Sequence, residues 1–398
     1  LRERVLRRLP VTEWGAFVRD ELAETYRECH PDARVNDYSW LAKGPTLLIN
    51  GRWLPAWNSL TSLQQGEAAV VDDEVVAITL EPEEAGLPAV HDWHDVLPRL
   101  ARLRRSRRTE GPLASYPWDF VNHNPRQLHE DFRMLAGQPS RSELGPHVAV
   151  VGPPDRVHVD PTATVDPFVV FDSRQGPVSV GPGAAIRSFT GLEGPCHVGR
   201  ESQLFRAHVR EGTTIGAVCR VGGEVEESIL QGYVNKYHTG FLGHSYVCPW
   251  VNLGALSTNS DLKNDYSHVR VPLDGEPIET GSTKVGCFIG DHTKTALGSL
   301  FNTGSSIGVL SMVLPGGELL PKHIPSFTRI WHGELAEGWD IDRALATARA
   351  AMSRRKCDLS PAMERLLRRL YAETRDERAA AIDYARKKRR SGETRALA

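Results

Sequence analysis

Ile289-Gly290-Asp291-His292-Thr293-Lys294-Thr295-Ala296-Leu297-Gly298-Ser299-Leu300-Phe301 opens a run in which an apolar or small residue returns every six positions. The recurring positions are Ile289, Thr295, Phe301, Ile307 and Val313, and Gly290 and Gly308 directly follow two of them. A six-residue period held this long is neither helical nor an ordinary strand alternation; it is the hexapeptide signature of a parallel β-helix.

The period continues toward the N-terminus. Val159, Val165 and Phe171 keep it; after a slip come Val180, Ile186, Leu192, Val198 and Leu204, then Val209, Ile215 and Val221, and after a longer break Phe241, Val247 and Leu253. Three six-residue sides make one triangular coil. The aliphatic residue of each side points into a narrow tube, and a neighbouring small residue such as Gly181, Gly199, Gly216, Gly222 or Gly254 lets the chain turn the corner. Breaks in the register at residues 222–240 and 258–284 are expected to be loops. The competing reading, a sandwich of short strands, would leave so many consecutive sixes to accident.

The chain has 398 residues, enough for company on both sides of such a helix. Its 48 basic and 50 acidic residues give no global attraction to nucleic acid or to an anionic membrane, and no run of about 18 apolar residues could span a bilayer. Six cysteines, Cys29, Cys196, Cys219, Cys248, Cys287 and Cys357, form no C-x-x-C pair and follow no secretion signal, so reduced thiols and a cytoplasmic location are expected. The chain opens on Leu1 rather than Met, and a preceding segment is therefore expected.

Three regions differ in character. Residues 1–150 mix helical and strand-like segments, including Thr46-Leu47-Leu48-Ile49 and an apolar stretch at 68–80, and suggest an α/β domain. Within it, the basic run 99–108 reads as a helix with Leu97, Leu100 and Leu103 on its apolar side and its arginines in solvent. Residues 151–325 hold the hexad pattern. Residues 326–398 are helical: an Ala- and Arg-rich stretch at 340–356, then a second helix announced by Ser360 as N-cap and Pro361 as first helical residue, ending in a solvated Arg-Lys-Lys-Arg-Arg run. These helices are expected to pack on the β-helix or a neighbouring subunit.

Polar residues crowd together where the hexad breaks: Asn235-Lys236-Tyr237-His238, Gly240-Phe241-Leu242-Gly243-His244-Ser245-Tyr246, Asn252-Leu253-Gly254-Ala255 and Ser260-Asp261-Leu262-Lys263-Asn264. The stretch 236–255 resembles the acetyltransferase half of the bifunctional N-acetylglucosamine-1-phosphate uridylyltransferase and glucosamine-1-phosphate acetyltransferase family. The longer set of motifs is similar to its alternate bacterial form, a sugar nucleotidyltransferase fused to a left-handed β-helix acyltransferase. The resemblance is strong over 225–325 and weak before 150. It implies an α/β nucleotidyltransferase-like domain, a left-handed parallel β-helix and C-terminal helices.

His238 lies fourteen positions before Asn252, the spacing that separates the family's general base from an active-site asparagine. An amine attacking an acyl thioester must lose a proton, and an imidazole titrating near neutrality can accept it. The resemblance further implies that Asn252 and Asn259 hold the sugar or amine, that Lys263 lies near the substrate, and that Ala255 lines the acetyl-CoA groove. The family's tyrosine three residues after the base is Phe241 here, and a lysine expected about twelve residues before it falls on Glu226. Lys236, Arg206 and Arg210 are the candidate substitutes for binding phosphate. The implied co-substrate is acetyl-CoA or another acyl-CoA, the acceptor a sugar phosphate or nucleotide sugar, and the assembly a homotrimer.

Other readings stay open. His208, His238 and His244 form a possible three-histidine set of a metal-dependent β-helix hydratase, although that family resembles itself through ligands five positions apart, and His238 and His244 are six apart. A non-enzymatic scaffold that only senses a nucleotide sugar is another, as is an active nucleotidyltransferase with a structural β-helix. Leu47-Leu48-Ile49-Asn50-Gly51-Arg52-Trp53-Leu54-Pro55 resembles the nucleotidyltransferase segment whose aspartate binds Mg2+, and Arg52 stands at that position. A cation there would repel the ion, with Asp72 and Asp73 as poor replacement ligands. A degenerate domain that uses no Mg2+ is therefore expected.

Overall fold

The computed structural model describes residues 2–9, 11, 13–60, 66–88, 92–141 and 143–390. The chain divides into two compact units, Leu1–Tyr116 with Ser360–Leu366, and Pro117–Leu359 with Leu367–Ala398.

The first unit is α/β. Its four-stranded sheet runs in the order Thr46–Ile49, Glu74–Leu80, Glu67–Val71, Arg105–Arg108, with the last strand parallel to its neighbour and the others antiparallel. The apolar stretch 68–80 is thus a hairpin and not one strand: Asp72 and Asp73 take left-handed φ of 48° and 65° and turn the chain in two residues, as Asp can where most side chains resist. One sheet face packs Ile78 and Leu80 against Val96 and Leu100 of helix Trp93–Arg102; the other holds Trp53 and Val76. The basic run departs from expectation. The helix ends at Arg102, Leu103 is 74% exposed, and Arg105–Arg108 is an edge strand with its arginines in solvent. Like charges on an edge strand are a common guard against pairing with another chain.

The second unit is a three-sided parallel β-helix. Register places three inward columns: Val159, Val180, Val198, Ile215, Leu230, Val247, Ile289, Ile307 and Ile324 on the first side; Val165, Ile186, Leu204, Val221 and Lys236, later Thr295, Val313 and Ile330, on the second; and Val150, Phe171, Leu192, Val209, Val225 and Leu242 on the third. Apart from Lys236 and Thr295 these residues form one continuous hydrophobic cluster, with Val150 and Val165 part-buried against it. The α/β unit, the β-helix and the terminal helices are the expected fold class.

Two details differ from the hexad reading. Residues 222–240 are not a loop, because coils continue through Val225, Leu230 and Lys236. The corner between Val221 and Val225 is short, and Lys236 stands where an aliphatic residue would, so the period was hidden. Consequently Leu242, and not Phe241, faces the tube. The second break is a true excursion, a hairpin of Arg270–Leu273 with Glu276–Glu279. Its Val269 and Val271 pack with Trp118, Val285 and Phe288. Trp118 belongs to helix Pro117–Phe132, which lies along the coils: Asn124 Nδ2 donates to Gly212 O at 2.8 Å and its Oδ1 accepts from Thr214 Oγ1 at 3.0 Å.

Helices Ile341–Ser353, Pro361–Glu373 and Arg375–Arg390 follow, with Asp340 and Ser360 accepting N-cap bonds from Arg343 N and Met363 N. The last covers the end of the coil stack: Arg378 lies over Tyr371 at 4.3 Å and over Phe327 at 5.7 Å. Of the terminal basic run, Arg386 and Arg389 pair with Asp383 and Glu334, while the side chain of Arg390 lies outside the described residues. No described helix is long and apolar enough to cross a membrane, and all six cysteines are free thiols.

Candidate active site

His238 is exposed on the turn that follows the short strand Asn235–Lys236, at the corner between the second and third sides. The next coil stacks directly on it. Asn235 is bridged to Asn252, with Asn235 Nδ2 donating to Asn252 Oδ1 at 2.6 Å, and Leu256 N donates to Thr239 O at 2.8 Å. This register sets Ala255 beside His238. Gly254 lets the following coil close on this one, because a Cβ there would lie 2.5 Å from the Ala296 carbonyl carbon. His238, Asn252 and Ala255 therefore share one edge of the β-helix.

The same edge continues toward the N-terminal coils as a ladder of exposed rings. Phe168 and Phe189, 53% and 65% exposed, stack at 5.7 Å, and Phe205 meets Tyr237 at 5.5 Å. Arg206 is exposed, in left-handed φ, with its guanidinium over Phe205. A cavity of about 300 Å3 opens here, lined by Asp166, Arg187, Phe189, Phe205, Arg206 and Tyr237. Arg187 and Phe205 went unnoticed in the sequence, and Tyr237 stood in the polar run beside His238 without a role. Their signal was available, since each follows an inward position of the second column (Ile186, Leu204, Lys236) by one residue.

The remaining candidates are elsewhere or otherwise engaged. Lys236 is turned inward and 2% exposed, donating to backbone carbonyls. Burial pushes its ammonium down to about 8. Asn259 is buried in the third side, where its amide is spent on backbone: Oδ1 accepts from Gly243 N at 2.9 Å and Nδ2 donates to Gly243 O at 3.0 Å. Lys263 braces the excursion through Ser267 Oγ and His268 O. Arg210 sits among Glu193, Glu211, Glu224 and Glu226, the last at 2.7 Å. Four carboxylates around one guanidinium make a poor reception for phosphate.

The three histidines do not converge either. His208 pairs with Glu193 at 2.7 Å on the third side. His244 is buried at the base of the excursion, with Nδ1 at 2.8 Å from Asp261 and Nε2 at 3.2 Å from Glu227. Burial alone would depress this imidazole, but the hydrogen bonds to both carboxylates outweigh it and raise it to about 9. A protonated ring flanked on both nitrogens has no lone pair for a metal. Among the described residues no group of three His, Cys, Asp or Glu is placed to hold one.

In the first unit a cavity of about 1840 Å3 is lined in part by Trp14, Tyr26, Trp40, Trp93, Arg102 and Arg108. Arg52, on its wall, pairs with Glu74. An acidic neighbour does exist, then, contributed by the adjacent strand and not by the turn around Arg52. The pair fills the place with a bound guanidinium, so the residues present do not fit a Mg2+ ion there.

Fold and edge together define a hexapeptide-repeat β-helix protein with an α/β unit before it. Residues 1–139 match the family described as sugar nucleotidyl transferase. A bifunctional sugar-1-phosphate nucleotidylyltransferase/acetyltransferase of Sulfurisphaera tokodaii is 30% identical over 112 residues, 28% of this chain and 28% of that protein. A bifunctional protein GlmU of Jannaschia sp. is 34% identical over 102 residues, 25% of this chain and 21% of that one. The chain thus matches less than a third of the length of these curated relatives. An Arabidopsis UDP-N-acetylglucosamine acyltransferase structure covers 64% of this chain and 98% of its own, at 14% identity and a TM-score of 0.28.

Proposed function

We propose that the β-helix transfers an acyl group from an acyl-CoA thioester to the amine of a sugar phosphate or nucleotide sugar, with His238 as general base. The observation that carries this reading is the stacking of two coils, which pairs Asn252 with Asn235 and sets Ala255 beside the exposed turn of His238. In the reaction the amine nitrogen attacks the thioester carbonyl carbon while His238 takes a proton from it. The tetrahedral intermediate then collapses, the C–S bond breaks, and the departing thiolate is protonated. Ala255, small and beside the base, leaves room for the acyl chain, and Asn252 orients the acceptor. We assign the phosphate to Arg206 and Arg187 at the neighbouring cavity, in preference to Arg210, Lys236 or Lys263; Arg187 has one carboxylate near it, Asp166 at 3.6 Å, against the four around Arg210. An acyl-CoA donor makes the cytoplasm the working compartment.

The α/β unit, in this reading, binds a nucleotide sugar or sugar phosphate in its large cavity without transferring a nucleotidyl group, because Arg52 stands where a metal ligand is required. We further propose that three chains assemble with their exposed ring ladders inward, each edge completed by a neighbour. The reading is tested by following thiol release from acetyl-CoA and longer acyl-CoAs against a panel of amino-sugar phosphates and nucleotide-linked amino sugars. Release that needs both a thioester and one acceptor, and that is lost in His238→Ala, supports it; no release with any pair rejects it.

A further inference from the structure

The second inward column of the β-helix is aliphatic before Lys236, through Val165, Ile186, Leu204 and Val221. A charged ammonium in that line costs more to bury than the valine or leucine that would fit it. Coil packing alone thus gives no reason for a lysine. Its contacts do. Nζ donates to Gly222 O at 2.7 Å and to Gly240 O at 2.6 Å, with His238 O at 3.5 Å. Gly222 and Gly240 occupy the same corner in successive coils, and Gly240 closes the turn that begins at His238.

That turn is also wedged from outside. A Cβ on Gly222 would lie 2.2 Å from Tyr237 O, and one on Gly240, whose φ is +145°, would lie 2.1 Å from Ser257 O. The coil below and the coil above therefore touch the turn backbone to backbone. Such a tight corner points carbonyls inward, and those oxygens need donors. Two further bonds grip it: Glu224 N donates to Gly240 O at 3.2 Å and Leu256 N to Thr239 O at 2.8 Å.

Resting on the acyl-transfer reading above, we propose that Lys236 is the positioning residue of His238: it ties both ends of the histidine's turn from inside the tube and touches no substrate. Two variants and two readouts test this. Lys236→Met keeps the length of the side chain and suits the column. It is expected to fold, to leave KM for both substrates within about twofold, and to lower kcat roughly tenfold to a hundredfold, as small misplacements of a catalytic group do. In a His238→Ala background the same change is expected to cost nothing more, because the residue acts only through that ring. A raised KM for the acceptor, or an undiminished loss in the His238→Ala background, would identify a substrate ligand and overturn the proposal.

Amide hydrogen exchange supplies a readout that does not need activity. In Lys236→Met the Glu224 and Leu256 amides are expected to exchange at least tenfold faster, with those of the first side unchanged. Unchanged protection at both amides would overturn the positioning role whatever the chemistry. Wild-type turnover by His238→Ala alone would instead remove the acyl-transfer reading. Lys236→Gln, which keeps an N–H donor on a shorter side chain, carries the same readouts should the Met variant not fold.

Discussion

His238→Ala is expected to lower acyl transfer about 10²- to 10⁴-fold, the usual worth of one general base. Its fold should be untouched, since the side chain is exposed on a turn and fills no core. Single-turnover thiol release with matched circular dichroism checks both halves; wild-type turnover with every acceptor would exclude the role. The case for this residue was legible in the sequence, since acyl transfer demands an imidazole and the family resemblance supplied the spacing to Asn252. Asn259 and Arg210 were not: nothing local reveals that one amide is consumed by Gly243 or that four glutamates surround one guanidinium.

At the scale of an element, the excursion at residues 262–284 is pinned at its base by His244 between Asp261 and Glu227. The histidine is raised from 6.5 to about 9. A group raised on folding stabilises fully below its unfolded value and loses that contribution as pH climbs through its folded value. Burial would raise the Asp261 carboxyl, but its bond to His244 lowers it, which agrees in sign. Between pH 6.5 and 8 the wild type should therefore lose about 2 kcal/mol relative to His244→Gln, by the linkage of shift to stability. Lys236 and Lys294, both lowered to about 8, act in the opposite direction, but they are common to the two proteins and cancel from the difference. Parallel slopes in urea titrations of the two proteins would show that the histidine is not held charged.

Across the whole molecule, exposed Phe168 and Phe189 on one edge suit burial against like chains. Light scattering at micromolar concentration is expected to give about three times the 44.1 kDa of one chain, and a monomer would count against a shared edge. Pyrophosphate release from a nucleoside triphosphate and a sugar 1-phosphate, with Mg2+, is expected to be absent. Arg52 and Glu74 already neutralise one another, so a divalent ion meets a bound cation where it needs a free carboxylate. Turnover in that assay would place the metal ligands elsewhere in the α/β unit.

The sequence by itself determined the coil, because a tube with three sides forces one buried residue per side, and a chain that obeys this everywhere must show it as a period. It also marked where polar residues crowd together, around 235–264. What only the tertiary structure decided was direction. Lys236 reads from its neighbours as a ligand beside the base and proves to face the tube. The reason is that a side chain at a corner points in or out according to the length of that corner and to the coils stacked above and below it. Those neighbours are some fifteen residues away in the chain and one strand spacing away in space, about 4.8 Å.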